Sequence, residues 1–259
     1  MRKLRVFNSF TLHKTHYHKE GYSPSSVRKV PLENEIVLLK QYSKPKKSYT
    51  VVKRGFDIVF SLLFIVGVLS WMVPVVAILI LIDSKGPVFF VQRRIGRNGR
   101  IFSCLKFRTM IVNDEAHEKQ AEENDYRITK LGKLLRETNI DEFPQFINIL
   151  IGDMSIIGPR PHMLSDCTRF SFVIPSYQFR TLVRPGITGL AQVKGHHGPT
   201  LNYESIFMRY HWDAEYVRHA GFWLDLKILF RTFLHGLSKL VSLAGFYLTS
   251  KKRLKNELT

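Results

Sequence analysis

Asp141 and Glu142 are adjacent acids set just before Phe143, Phe146, Ile147, Leu150 and Ile151, whose apolar spacing predicts a helix stopped by Gly152. Pro144 is compatible with that helix only near its start. Side chains at successive positions there point about 100° apart, beside backbone N–H groups that lack partners and favour anions. Such a site can hold both a phosphate and a metal-binding carboxylate. The plainer alternative is two acids that only complement the helix dipole, with Thr138 or Asn139 as the cap, and the pattern alone leaves both open.

Cations able to serve a phosphate stand in two further places. Gly152-Asp153-Met154-Ser155 leads into Gly158-Pro159-Arg160-Pro161, where two prolines stiffen the backbone on either side of one arginine. A guanidinium fixed in this way matches phosphate oxygens with two donors, although a stiff turn with an incidental arginine would read the same. Lys106 and Arg108 alternate onto one face of a predicted strand, a pattern also typical of a solvated face. The sequence holds no Walker A loop, no His-Glu-x-x-His and no Gly-x-Ser-x-Gly, which narrows the chemistry to carboxylates and cations.

The elements that must position these residues are legible in outline. Pro87–Gln92 and Ile101–Arg108 read as strands, and Asn98-Gly99 between them as a hairpin turn. Residues 112 to 126 are polar and acidic, a solvated helix or loop. Ile128, Leu131, Leu134 and Leu135 share one helical face and Lys130, Lys133 and Arg136 another, which predicts an amphipathic helix at a surface or bilayer. From Ile58 to Ile82 there are 25 residues without a charge, a helix of roughly 38 Å against a hydrocarbon core of about 30 Å. This run is read as membrane-embedded. Lysines and arginines flank it on both sides, so it is expected to enter and leave on the cytoplasmic face, bending at Pro74, with Ser70 satisfying a freed carbonyl. Phe222 to Leu248 is also apolar but carries Asp225, Lys227, Arg231 and Lys239. Lys227, Arg231, His235 and Lys239 recur every four residues, which suits a helix in the headgroup layer or one packed on the core.

The net charge of +18 fits nucleic acid, an anionic bilayer or phosphorylated substrates as partner. Residues 1 to 54 hold 13 Lys and Arg against three Glu, so the chain opens on a basic arm without the apolar core of a signal peptide, and secretion is not expected. Two cysteines, Cys104 and Cys167, make neither a disulfide framework nor a zinc site and suit a reducing compartment.

Lys53-Arg54-x-x-Asp57, Gly86-Pro87-Val88-Phe89-Phe90-x-Gln92, Lys106-Phe107-Arg108-Thr109-Met110, Asp141-Glu142-Phe143-Pro144-Gln145, Gly152-Asp153-Met154-Ser155-x-x-Gly158-Pro159-Arg160-Pro161 and Pro185-Gly186-Ile187-Thr188-Gly189-Leu190-Ala191-Gln192-Val193 resemble, in order, the bacterial sugar transferase family of monotopic polyprenyl-phosphate phosphoglycosyl transferases. Asp213, Tyr216 and Leu224–Leu229 resemble its C-terminal pattern. The resemblance covers about residues 51 to 232. It implies transfer of a sugar 1-phosphate from a UDP-sugar to undecaprenyl phosphate with release of UMP. By position it makes Asp141 the nucleophile and Glu142 the carboxylate associated with Mg2+, with Arg136, Arg160, Lys106 and Arg108 toward the substrate phosphates and Pro74 at the membrane break. Two stretches, Pro161-His162-Met163 and Gln192-Val193-Lys194-Gly195, are similar to enzymes described as UDP-glucose lipid carrier transferases of exopolysaccharide assembly. The chain departs from the family in having Val73-Pro74 for Ser-Pro, and Gly195-His196-His197-Gly198 for the commoner Asn-Gly-Arg type.

The expected fold is α+β and mostly helical. It has a basic N-terminal arm (1–50), a re-entrant helix-break-helix membrane segment (51–84), and a cytoplasmic catalytic domain (85–259) with a β-hairpin and interfacial amphipathic helices. The expected location is the cytoplasmic side of the bacterial inner membrane, with no nucleic acid as partner and a homo-oligomer left open. The alternative is a non-enzymatic, basic, membrane-tethered module binding anionic lipid or nucleic acid. A glycosidase is disfavoured, since nothing sets two carboxyls on opposite sides of one glycosidic bond.

Overall fold

The computed structural model describes residues 45–113, 121, 125–198 and 203–257, with backbone alone for residues 175, 240 and 242–257. Most of the basic arm and most of the acidic stretch at 112–126 lie outside the described residues.

The chain is mostly helical, with two small two-stranded sheets. Helix α1 (Lys47–Phe64) passes through a π-helical turn (Ile65–Leu69) into α2 (Ser70–Asp83). The 37 residues from Lys47 to Asp83 form one helix long and apolar enough to cross a membrane by length and composition. In place of the expected helix-break-helix the helix is continuous through Pro74, with a wider helical turn just ahead of it. A proline clashes with the carbonyl one turn earlier and supplies no N–H, and a π turn is one way a helix absorbs such a fault. Two side chains bond carbonyls four residues back in this stretch: Ser70 Oγ donates to Val66 O at 2.5 Å, which is not the carbonyl that Pro74 leaves free, and the Trp71 indole N–H donates to Gly67 O at 3.0 Å.

One face of this helix is polar where it meets the rest of the chain. Arg54 donates to Ile149 O (2.6 Å) and Leu150 O (2.8 Å), capping the carbonyl end of α4 (Gln145–Ile151). Buried Asp57 accepts from Ser155 Oγ and Ile156 N–H, both at 3.0 Å. Further along, Leu69, Met72, Val76 and Ile80 join a core with Phe102, Phe107, Leu135, Phe146, Ile149, Met154 and Ile228. The opposite face, including Val52, Leu63, Val66, Trp71, Ile78 and Ile82, is exposed.

Strands β1 (Phe89–Ile95) and β2 (Ile101–Phe107) pair antiparallel, with Asn98 and Gly99 both at positive φ in the turn, as the Asn-Gly pair predicts. Asn148 of α4 completes the free edge of β2: its side chain accepts from Leu105 N–H at 3.0 Å and donates to Ser103 O at 2.8 Å. Helix α3 (Lys130–Glu137) lies against the chain just after β2, where a Cβ on Gly132 would fall 2.0 Å from Thr109 O, so that position requires glycine.

Strands β3 (Ser155–Ile157) and β4 (Gly186–Thr188) pair in parallel. A Cβ on Gly158 would meet Arg184 O at 2.3 Å and one on Gly186 would meet Gly158 N at 2.1 Å, which explains a glycine in each of the two motifs. A second core gathers Cys167 and Phe170 of α5 (Leu164–Val173), Tyr177 and Phe179, and Ile206, Tyr210 and Val217 of α7 (Tyr203–His219). Helix α6 (Leu190–Val193) and the long α8 (Phe222–Glu257) complete the described chain. Tyr49 and Lys53 of α1 and Tyr216 of α7 all bond the carboxylate of Asp225 on α8, at 2.8, 2.7 and 2.8 Å.

His162 sits in the second core, its Nδ1 bonded to Tyr177 OH, and burial among Arg180, Arg209, Arg94 and Arg160 holds its pKa well below the usual value. The unfolded chain therefore takes up a proton near pH 6.5 that the folded chain refuses, so this group's stability is complete above that pH and is lost below it. His162→Asn, which keeps a hydrogen-bonding partner for Tyr177, is expected to flatten the fall in thermal stability between pH 7.5 and 5.5 by about 1 kcal/mol. Melting curves at the two pH values check this; an unchanged slope contradicts it.

Candidate active site

Asp141 and Glu142 lie on a single 3-10 turn, Ile140–Glu142, between α3 and α4. Neither expected cap operates. Thr138 turns its hydroxyl back to Leu134 O (2.8 Å) and Leu135 O (3.2 Å), and Asn139 makes no side-chain cap but adopts the left-handed conformation that reverses the chain. Asparagine is among the few residues that tolerate that conformation. Both acids are buried, so they serve as more than solvated complements to a helix dipole.

Burying two adjacent carboxylates calls for cations close by. Lys106, at the end of β2, donates to Glu142 Oε1 at 2.7 Å and stands 4.0 Å from Asp141 Oδ2. Arg160 faces Glu142 as a fork, Nη1 donating to Oε2 at 3.0 Å and Nη2 to Oε1. Arg136, in the last turn of α3, is oriented by a 2.8 Å bond from Nε to Thr109 Oγ1, and its charge acts on Asp141. Asp141, Glu142, Lys106, Arg136 and Arg160 thus form one cluster.

Arg108 is not brought to it. The strand ends at Phe107, and the Arg108 side chain reaches the end of α2 instead, donating to Lys85 O and Ser84 O, each at 2.6 Å. Unpaired carbonyls at a helix end attract such a donor. The alternation that put Lys106 and Arg108 on one face holds for the backbone and not for where the long side chain goes. Pro74 lies within α2.

The two acids differ electrostatically. Burial raises the Asp141 carboxyl above the usual aspartate value; Lys106 offsets part of that, and the neighbouring charge of Glu142 adds to it. Burial also pushes Glu142 upward, but Arg160 and Lys106 outweigh it and hold that carboxyl well below the usual range. Glu142 is therefore a fixed, neutralised anion, whereas Asp141 keeps a carboxylate that is less well compensated and correspondingly more basic.

Rigid placement of Arg160 comes from its backbone. Four successive carbonyls each accept a bond: Pro159 O from Gly186 N–H, Arg160 O from Arg180, Pro161 O from Arg94, and His162 O from Ile95 N–H. Arg180 is fixed in turn by Asp213, whose Oδ2 takes its Nε at 3.0 Å and its Nη2 at 2.6 Å, and Arg94 by Gln92 Oε1. Sequence reasoning missed Thr109, Arg94 and Arg180 as supports of this site. Arg94 and Gln92 alternate on one face of β1, which was a signal; Arg180 lies in a 3-10 segment, Pro175–Leu182, whose sequence gives none.

Among the described residues no group of three His, Cys, Asp or Glu forms a ready metal cage. Both Glu142 oxygens are taken by Arg160 and Lys106, so a hard cation here would draw on Asp141 and reach Glu142 by displacing one of those donors, with its other ligands from substrate and water. That ligand pattern suits magnesium, which usually binds through one or two carboxylates with substrate phosphates.

Comparison with known proteins places this arrangement. Over 205 residues the chain is 41% identical to the UDP-glucose:undecaprenyl-phosphate glucose-1-phosphate transferase of Klebsiella pneumoniae, a match covering 78% of this chain and 44% of that protein. It is 41% identical over 189 residues to the UDP-N-acetylgalactosamine-undecaprenyl-phosphate N-acetylgalactosaminephosphotransferase of Aeromonas hydrophila, covering 73% and 44% respectively. It is also 41% identical over 194 residues to the exopolysaccharide production protein PSS of Rhizobium leguminosarum bv. phaseoli, covering 73% of this chain and 96% of that one. The chain thus spans less than half the length of the first two relatives and nearly all of the third. The sequence model of the family described as bacterial sugar transferase matches residues 48–239, a region that holds the apolar helix, the hairpin, the carboxylate turn and the Arg160 loop. This chain belongs to the bacterial sugar transferase family.

Proposed function

We propose that the protein transfers a sugar 1-phosphate from a UDP-sugar to undecaprenyl phosphate, releasing UMP, as the initiating step of exopolysaccharide or other glycoconjugate assembly. The observation that carries this reading is the buried Asp141-Glu142 pair, in which Lys106 and Arg160 bond one carboxylate directly and the other has its nearest cation, Lys106, only at 4.0 Å. The names of the relatives supply the substrate class.

Asp141 is the nucleophile. Its carboxylate oxygen attacks the phosphorus that carries the sugar, the bond to the bridging oxygen breaks, and UMP leaves with that electron pair. The product is an acyl phosphate on Asp141 that retains the sugar. A phosphate oxygen of undecaprenyl phosphate then attacks the same phosphorus and frees the carboxylate, a two-step route that splits one difficult displacement into two. Arg136 and, on releasing its fork from Glu142, Arg160 bind non-bridging oxygens, opposing the repulsion between a carboxylate and an anionic diphosphate. Lys106 keeps Glu142 ionised and in place. Magnesium, held by Glu142 with Asp141 beside it, would supply further charge neutralisation on the diphosphate.

The membrane reading rests on where the apolar helix is attached. Near its start Arg54 and Asp57 bond α4 and β3, and at its end Ser84 and Lys85 bond Arg108. Both ends are therefore tied to the same folded unit, which supports a helix that enters and leaves the bilayer on the cytoplasmic side. Helix α8 adds a second membrane face. Trp223, Leu226, Phe230, Phe233, Leu237 and Val241 are exposed at three- and four-residue spacing, Trp223 by 79%, beside the stripe Lys227, Arg231, His235 and Lys239. An apolar ribbon edged with cations suits the headgroup layer.

Two measurements test these statements. Steady-state release of UMP from a panel of UDP-sugars, with undecaprenyl phosphate and magnesium present, should fall about 10³-fold or more in Asp141→Asn and about 10²-fold in Arg160→Lys, whose point charge cannot replace a fork. Turnover of Asp141→Asn near that of the wild type would contradict the nucleophile. For topology, Lys46→Cys and Lys85→Cys in a background without Cys104 and Cys167 should both resist a membrane-impermeant thiol reagent on intact cells and both react after permeabilisation; labelling of only one would mean a spanning helix.

A further inference from the structure

A second cavity, of about 480 Å³, touches β3 but contains none of the cluster around Asp141. Its walls come from the first turns of α1, the hairpin tip, β3 and the chain leading into β4. Five cations line it, Lys47, Lys53, Arg54, Arg97 and Arg184, with a single carboxylate, Asp57. That carboxylate is turned inward to Ser155 and Ile156. Lys53 is paired with Asp225, and Arg54 is taken up by the carbonyls at the end of α4. Among the described residues Lys47, Arg97 and Arg184 form no ion pair.

The cations are also close enough to repel one another. Burial lowers the pKa of the Arg184 guanidinium, and Arg97 and Arg54 beside it lower it further. An anion between them would relieve that repulsion and use guanidinium donors in their preferred geometry. Apolar side chains line the same cavity, Val51, Ile157, Leu182 and Val183. Val51 and Val52 stand exposed where α1 passes from its lysines toward the uncharged run. The recess therefore pairs cations with apolar lining beside the start of the uncharged run of α1.

We infer that this cavity binds the phosphate headgroup of an anionic membrane lipid, seated between the start of α1, Arg97 at the hairpin tip and Arg184. Basic recesses beside membrane helices recognise phosphate-bearing lipids in this way. The phosphate is the diester of an anionic glycerophospholipid; a polyprenyl phosphate is the acceptor of the proposed reaction and enters the test only for comparison. The site goes beyond sugar transfer and rests only on the membrane placement proposed above; its test requires no turnover, so the two readings fail separately.

Native mass spectrometry of the delipidated full chain in neutral detergent tests it, with phosphatidylglycerol, phosphatidylcholine, undecaprenyl phosphate and inorganic phosphate added one at a time. Retention of phosphatidylglycerol in preference to phosphatidylcholine is expected; retention of undecaprenyl phosphate alone would report the acceptor site and overturn the inference. Reversing two exposed charges in Lys47→Glu/Arg97→Glu should lower that retention about tenfold or more, whereas Lys239→Glu on α8 should not. Equal retention of phosphatidylglycerol and phosphatidylcholine by the wild type would overturn the site, as would retention untouched by the double substitution or binding of inorganic phosphate without either anionic lipid.

Discussion

Two adjacent carboxylates buried on one short turn are the constraint to which the surrounding structure answers. Left alone, Asp141 and Glu142 would repel each other and take up protons, because a buried charge without a partner is far more costly than a solvated one. Lys106 and Arg160 remove that penalty for Glu142, and the hairpin and the Arg160 loop are built to deliver them. Asn148 fastens the hairpin to α4, the helix that follows the carboxylates. Gly158 and Gly186 let β3 and β4 approach closely, so the loop leaves β3 in a fixed direction.

The same economy of long side chains ties the apolar helix to the site. Arg54 and Arg108 each close the carbonyl end of a helix, and Asp57 takes two donors from β3, only a few residues before Arg160. The apolar helix is thereby joined by hydrogen bonds to the strand that leads into the Arg160 loop. In the proposed reaction an acceptor lipid and a soluble nucleotide sugar meet at one phosphorus, and such a junction would fix the carboxylates relative to the apolar helix.

Features governed by local rules were legible before the structure. The hairpin turn at Asn98-Gly99, the stop at Gly152 and the uncharged run all follow from backbone preferences of a few neighbouring residues. The pairing of Glu142 with Arg160, 18 positions away, was not legible from the residues alone; only the resemblance of the ordered motifs brought the two together. Arginines were the least readable. Arg54, Arg94, Arg108 and Arg180 all donate to main-chain carbonyls distant in sequence, and a flexible side chain that long reveals its partner only once the fold brings the carbonyl within reach. Strands β3 and β4 have three residues each and their pairing is non-local, too short a pattern for alternation to expose.

Whether Asp141 becomes covalently bonded to the sugar phosphate is the point on which the account stands. Intact-protein mass spectrometry of the full chain mixed with a UDP-sugar and magnesium, but no lipid acceptor, followed by peptide mapping, addresses it directly. The account predicts one sugar-phosphate adduct on the peptide containing Asp141, absent in Asp141→Asn and discharged when undecaprenyl phosphate is added. Turnover with no such adduct, or an adduct on another residue, would contradict it.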